Sequence, residues 1–165
     1  MREARLRSAH TGTFVFLGLL SAVTASISTW LLSQWGKHHN QGGSIKSSTG
    51  FICFTSWLTL LLCIVYATIF RLTTSSVIVS VGSHLAWLVL IWIFWTSGAA
   101  AITAALSGGN NCSKIDYNLP YCNQLNAELG FSWACWIITT IALIFLIILG
   151  IKSTRRGEGW RGGLV

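Results

Sequence analysis

The chain has 165 residues, of which 53% are hydrophobic and only 9% charged, a balance that excludes an ordinary water-solvated globule and makes lipid its main solvent. The formal net charge of +7 does not describe a nucleic-acid reader, because the basic residues punctuate apolar runs instead of gathering with polar and aromatic groups on one wet face. Charge placed in this way orients a chain in a bilayer and attracts anionic headgroups.

Crossing the hydrocarbon takes about 20 mostly apolar residues in helical form. Four uncharged runs meet that requirement, near residues 12–32, 51–70, 77–106 and 129–151. They predict an all-α membrane protein of four transmembrane helices, since an isolated apolar run must satisfy its backbone amides within its own segment. The third run is longer than one crossing needs, so either its helix tilts or its first turns, near Ser80 and His84, sit at the interface. The expected organisation is a cytoplasmic segment over 1–11, a four-span domain over 12–151 and a flexible basic cytoplasmic tail over 152–165.

The first run follows Arg2, Arg5 and Arg7 and ends near Val23, Thr24 and Ala25, which also resembles a secretory signal with a small-residue cleavage site. We expect it to be retained as an anchor. With a cytoplasmic amino terminus, that side holds Arg2, Arg5, Arg7, Arg71, Lys152, Arg155, Arg156 and Arg161, against Lys37, Lys46 and Lys114 opposite. Eight against three basic residues places both termini in the cytoplasm and makes the helices an M-shaped antiparallel bundle. The short inner connection after Arg71 forces the second and third helices to be neighbours, while the outer loops are expected over 33–50 and 107–128.

Cys112 and Cys122 flank the second outer loop, in an oxidising compartment by the charge rule, so a disulfide is favoured over two free thiols. Cys53, Cys63 and Cys135 lie within spans and read as small packing residues. The loop cysteines with distant His38 and His39 have no zinc-site spacing. Gly157, Gly159 and Gly162 match a dinucleotide-binding pattern, but they follow a membrane helix and not a strand, so the match is accidental. Asn111 opens a glycosylation sequon beside the bonded cysteine.

Catalysis or conduction would call for ionisable groups inside the spans, and only His84 qualifies there, with a structural role near the cytoplasmic interface favoured over a proton relay. Glu128 is expected to open the fourth helix after an Asn126 cap, its charge suiting the positive end of the dipole. Small residues recur four apart in two helices, as Gly18, Ala22 and Ser26 and as Ser97, Ala101 and Ala105 with Gly98 beside them. Such series let helices approach closely, here either within the bundle or between subunits. Trp30, Trp35, Trp133 and Trp136 are expected at the outer interface, where amphipathic rings are favoured.

The segments Ser97-Gly98-Ala99-Ala100-Ala101, Gly108-Gly109-Asn110-Asn111-Cys112, Tyr121-Cys122-Asn123-Gln124-Leu125-Asn126-Ala127 and Phe131-Ser132-Trp133 resemble fungal MARVEL-domain proteins, most nearly the eisosome-associated non-classical export type. The resemblance covers most of residues 10–152, with Tyr121-Cys122-Asn123-Gln124-Leu125 its most specific part, and the tail departs from it. It implies a four-helix protein with cytoplasmic termini that organises plasma-membrane microdomains and takes part in curvature or vesicle traffic. It implies no catalytic residues.

The expected function is therefore non-enzymatic: a plasma-membrane organiser, or one of vesicles or another endomembrane, that forms homo-oligomers through small-residue faces. It needs no cofactor beyond bound lipid (a sphingolipid, a sterol or an anionic phospholipid), and its further partners are cytoplasmic scaffold proteins, not nucleic acid. Arg71, Lys152, Arg155 and Arg156 are the expected contacts to anionic headgroups. The alternative is a small channel, transporter or accessory subunit of a transport complex, with Ser21, Thr24 and Ser28 facing a pore.

Overall fold

The computed structural model describes residues 2–38, 43–72, 81–109, 112 and 120–155, with side chains at 2–11, 38, 69–72, 81–83, 149 and 152–155 excepted. Four helices account for nearly all of them: α1 Arg2–His38, α2 Gly43–Leu72, α3 Val81–Ala105 and α4 Cys122–Arg155. Each contains a stretch long and apolar enough to cross a membrane: Gly12–Lys37, Gly43–Thr68, His84–Ala105 and Cys122–Ile148.

These helices exceed the spans expected from hydropathy. α1 runs on to His38 and α2 starts at Gly43, so most of the expected first outer loop is helical. α4 starts at Cys122 and not near Leu129, which brings Glu128 inside the helix and removes Asn126 as its cap. Hydropathy underestimates such ends because polar residues at a helix terminus lower the local average while leaving the hydrogen-bond ladder intact. The third helix is described from Val81; the earlier turns of its expected span, including Ser80, lie outside the described residues, as does the tail beyond Arg155 with Gly157, Gly159 and Gly162.

The helices close a ring in which α1 packs on α2, α2 on α3, α3 on α4 and α4 on α1. Contacts run in opposite senses along each pair. Thr29 meets Cys53 and Trp57 while Gly18 meets Cys63, and Gly98 meets Phe51 and Ile52 while His84 meets Tyr66. α1 and α3 lie across the diagonal. The within-bundle pairing of their small-residue series is therefore corrected: Gly18 and Gly98 each turn toward α2 instead, with the Gly98 backbone so close that a Cβ there would stand 3.2 Å from Ile52 Cγ1. Steps of four residues rotate about 40° each around a helix, so the α1 series winds from buried Gly18 through half-buried Ala22 to exposed Ser26. Ser97 and Ala101 are exposed and Ala105 half-buried.

A different spacing faces inward. Leu17, Ser21, Thr24, Ser28, Leu31 and Trp35 of α1 are buried at alternating steps of four and three, and Leu125, Glu128, Ser132, Cys135, Thr139, Ala142 and Leu146 of α4 follow the same rule. An average step of 3.5 residues keeps one seam facing the bundle axis. Inside each apolar window only 28–39% of residues are buried, so most of the apolar side chains, Phe16, Leu19, Leu61, Ile64 and Phe145 among them, point outward. The bundle is thus apolar outside and rich in hydroxyls within.

Five tryptophans tie the ring together by donating an indole N–H to a threonine hydroxyl on a neighbouring helix. Trp57 donates to Thr29 at 3.2 Å, Trp95 to Thr59 at 3.2 Å, Trp133 to Thr103 at 3.1 Å, Trp136 to Thr96 at 2.8 Å and Trp92 to Thr140 at 2.9 Å. The last two form a reciprocal clasp between α3 and α4. Thr96 donates to the Trp92 carbonyl and Thr140 to the Trp136 carbonyl, so the same Trp-x-x-x-Thr unit occurs on each helix and pairs with the other head to tail. Trp133 and Trp136 are half-buried, and their N–H groups serve helix pairing. Trp35 is also buried, while Trp30 remains exposed and edge-on to Tyr121 at 5.1 Å.

Replacing Thr96 or Thr140 by Val leaves an indole N–H without its acceptor in a medium that has no water to offer. Each change should cost about 1 kcal/mol, read as a lower midpoint in reversible detergent unfolding of the purified protein; an unchanged midpoint in both would mean the clasp contributes no stability.

Candidate functional site

The polar seam has its only described acidic group at Glu128, one turn and a half into α4. Its side chain is fully buried. Ser28 of α1 places Oγ 2.7 Å from Oε1, and Thr49 of α2 places Oγ1 2.9 Å from Oε2, so one carboxyl joins three helices. The same serine oxygen lies 2.9 Å from the Thr24 carbonyl one turn back, while Ser132 donates to the Glu128 main-chain carbonyl at 2.7 Å. The expected helix-opening role of Glu128 is therefore corrected: the carboxyl sits inside the bundle and faces hydroxyls, not free amides at the helix end.

Two further polar groups continue the seam. Thr24 donates to the Leu20 carbonyl at 2.9 Å and lies 3.9 Å from Cys135 Sγ. Toward the opposite end, His84 is buried, with the Tyr66 ring centroid 4.0 Å away and the Phe14 ring edge-on at 5.7 Å. It is held in the first turn of α3 between rings of α1 and α2. Ser21, Thr24 and Ser28 are all fully buried within the single bundle. The spacing of four and three that links Glu128, Ser132, Cys135 and Thr139 is the signal that marks the carboxyl as inward-facing, once α4 is extended back to Cys122.

Above the carboxyl the loop motif closes the bundle. Cys112 and Cys122 form a disulfide with a Cα–Cα distance of 5.8 Å, as expected from the sequence. Tyr121 adopts a left-handed backbone, φ 63°, and its carbonyl accepts the first turn's amide from Leu125 at 3.0 Å. Leu125 is fully buried in the core, Asn123 and Gln124 are exposed, and Asn126 Nδ2 lies 3.3 Å from Cys112 Sγ. Tyr121 thus supplies a turn, Cys122 a covalent tie, Leu125 a core anchor and Asn126 a contact with the tie. On the other side of the loop, α3 ends through the bonds Ser107 N–H to Ala104 O and Gly108 N–H to Thr103 O, with Ser107 and Gly108 both at positive φ. This pairing satisfies carbonyls that the helix end would otherwise leave open.

Arg71, Lys152 and Arg155 belong to helical backbone, but their side chains, like the whole of Arg156, lie outside the described residues. Asn111 and His39 lie outside them too. No group of three or more His, Cys, Asp or Glu side chains stands together among the described residues. No family model matches the chain, and neither a curated protein nor a solved structure matches it.

The disulfide closes a loop of ten-residue separation, which by the chain-entropy model stabilises the fold by about 3 kcal/mol. Cys112→Ser should lower the unfolding midpoint to match, and dithiothreitol should reproduce the effect in the wild type and leave the variant unchanged.

Proposed function

We propose that this chain is a non-enzymatic organiser of plasma-membrane microdomains, set in the bilayer as an M-shaped bundle with both termini in the cytoplasm. The observation that carries the reading is the division of chemistry between interior and surface. The hydroxyls of Ser28, Thr49 and Thr59, the indole of Trp95 and the one described acidic group are turned inward and bonded to one another, so what the protein offers its surroundings is an apolar wall, a narrow strip of small side chains and the basic residues that flank its spans in the sequence. Those are the means to gather lipid and further copies of the chain. The likeness of the loop motif to fungal MARVEL-domain proteins supports the same role in curvature or vesicle traffic.

Two surfaces would do the work. Ser97 and Ala101 expose the small strip on α3, where a second copy can approach closely. In the sequence Arg71, Lys152, Arg155 and Arg156 follow the apolar runs of the second and fourth spans on the side read as cytoplasmic, each contributing about 1 kcal/mol of attraction near an anionic leaflet. Bound lipid of the sphingolipid, sterol or anionic phospholipid classes, and cytoplasmic scaffold proteins, are the partners this arrangement suits.

Changing all four basic residues to Gln should reduce enrichment in phosphatidylserine-rich domains of giant vesicles by at least about tenfold, and undiminished enrichment would refute the headgroup role. Ala101→Phe should abolish crosslinking between copies in liposomes while leaving the unfolding midpoint where it was, because the position is exposed on a single bundle. Retained crosslinking would place the interface elsewhere.

A further inference from the structure

We infer that Glu128 is a buried protonation site, its carboxyl carrying a hydrogen and donating it to Ser28. A serine hydroxyl has one proton to give. Ser28 Oγ stands within bonding distance of two oxygens at once, the Thr24 carbonyl at 2.9 Å and Glu128 Oε1 at 2.7 Å. The carbonyl can only accept. With the serine proton directed to that carbonyl, the short contact to Oε1 is a hydrogen bond only when the proton in it belongs to the carboxyl.

The remaining oxygen completes the assignment. Thr49 Oγ1 stands 2.9 Å from Oε2 and donates to it, which leaves a continuous chain: Thr49 hydroxyl to Oε2, the carboxyl O–H at Oε1 to Ser28 Oγ, and the Ser28 hydroxyl to Thr24 O. Every donor in it has one acceptor. The opposite assignment, an ionised carboxylate, would divide the single Ser28 proton between two acceptors and leave a full charge with little more than one donor in a site that excludes water. Buried charge is tolerated only when paired and amply hydrogen-bonded, and the described contacts of this side chain are two neutral hydroxyls with no cation among them.

The ligand of this site is thus a proton, held where α1, α2 and α4 meet. This goes beyond the microdomain reading and does not depend on it. It also explains how a carboxyl can stand in an apolar span with no basic partner among the described residues: it joins three helices as a neutral donor and acceptor.

Infrared spectra of the purified full-length protein in lipid nanodiscs at neutral pH provide the test. The wild type should show the carbonyl stretch of a protonated carboxylic acid, shifting on deuteration, and Glu128→Gln should remove that band alone. The Gln amide can donate to Ser28 and accept from Thr49, so this variant should keep the wild-type unfolding midpoint, whereas Glu128→Ala should lower it. Ser28→Ala should retain the band and move it to higher frequency, because the acid hydrogen loses its acceptor. Absence of the band in the wild type, or a band indifferent to Ser28→Ala, overturns the assignment, and Glu128→Gln as unstable as Glu128→Ala does the same.

Discussion

The constraint on which this structure depends is that a polar hydrogen buried in hydrocarbon must find its acceptor within the chain. Threonine and serine meet it in a particular way. A hydroxyl in a helix can give its proton to the carbonyl four residues earlier and still accept a hydrogen bond from another helix. Thr59, Thr96, Thr103 and Thr140 each do both, taking an indole N–H from Trp95, Trp136, Trp133 and Trp92. Tryptophan brings a large apolar ring with a single donor, so its packing and its polar requirement are met at one contact. The helices are held in register by these contacts, because an indole displaced by one turn would lose its acceptor.

The same logic explains why the core is the more polar side of the molecule. In water, burial of apolar area would drive the helices together, but lipid tails are as apolar as leucine, and that driving force is absent. What remains is close backbone approach and hydrogen bonding between helices. Gly98 supplies the first, against Phe51 and Ile52. Ser28, Thr49 and Thr59 supply the second, through Glu128 and Trp95 of neighbouring helices, within a seam of buried hydroxyls. Glu128 belongs to this seam, a stronger hydrogen-bonding group set at a position where its neighbours are hydroxyls.

At the disulfide end the requirement takes a covalent form. α3 must stop, release its last carbonyls and return the chain to α4, and left-handed residues at Ser107, Gly108, Gly109 and Tyr121 achieve the reversals. The Cys112–Cys122 bond fixes the loop to the first residue of α4, and Leu125 one turn later anchors that start in the core. The position of Glu128 follows from this anchoring. A helix begun at Cys122 carries the carboxyl inward on the same seam as Leu125, opposite Ser28 and Thr49.

What the sequence determined by itself was whatever depends on one segment at a time: four apolar helices and the pairing of Cys112 with Cys122, because run length and cysteine placement are properties of neighbours in the chain. What it did not decide is which side of each helix faces its partners. In lipid both sides of a span are largely apolar, so hydropathy marks the crossing without marking the buried face. The tertiary structure decided that Trp133 and Trp136 pair helices through their N–H groups, that Gly18 and Gly98 both turn toward α2, and that Glu128 lies within the core. Each of these rests on donors and acceptors brought together from residues dozens of positions apart, and only the closed bundle defines those distances.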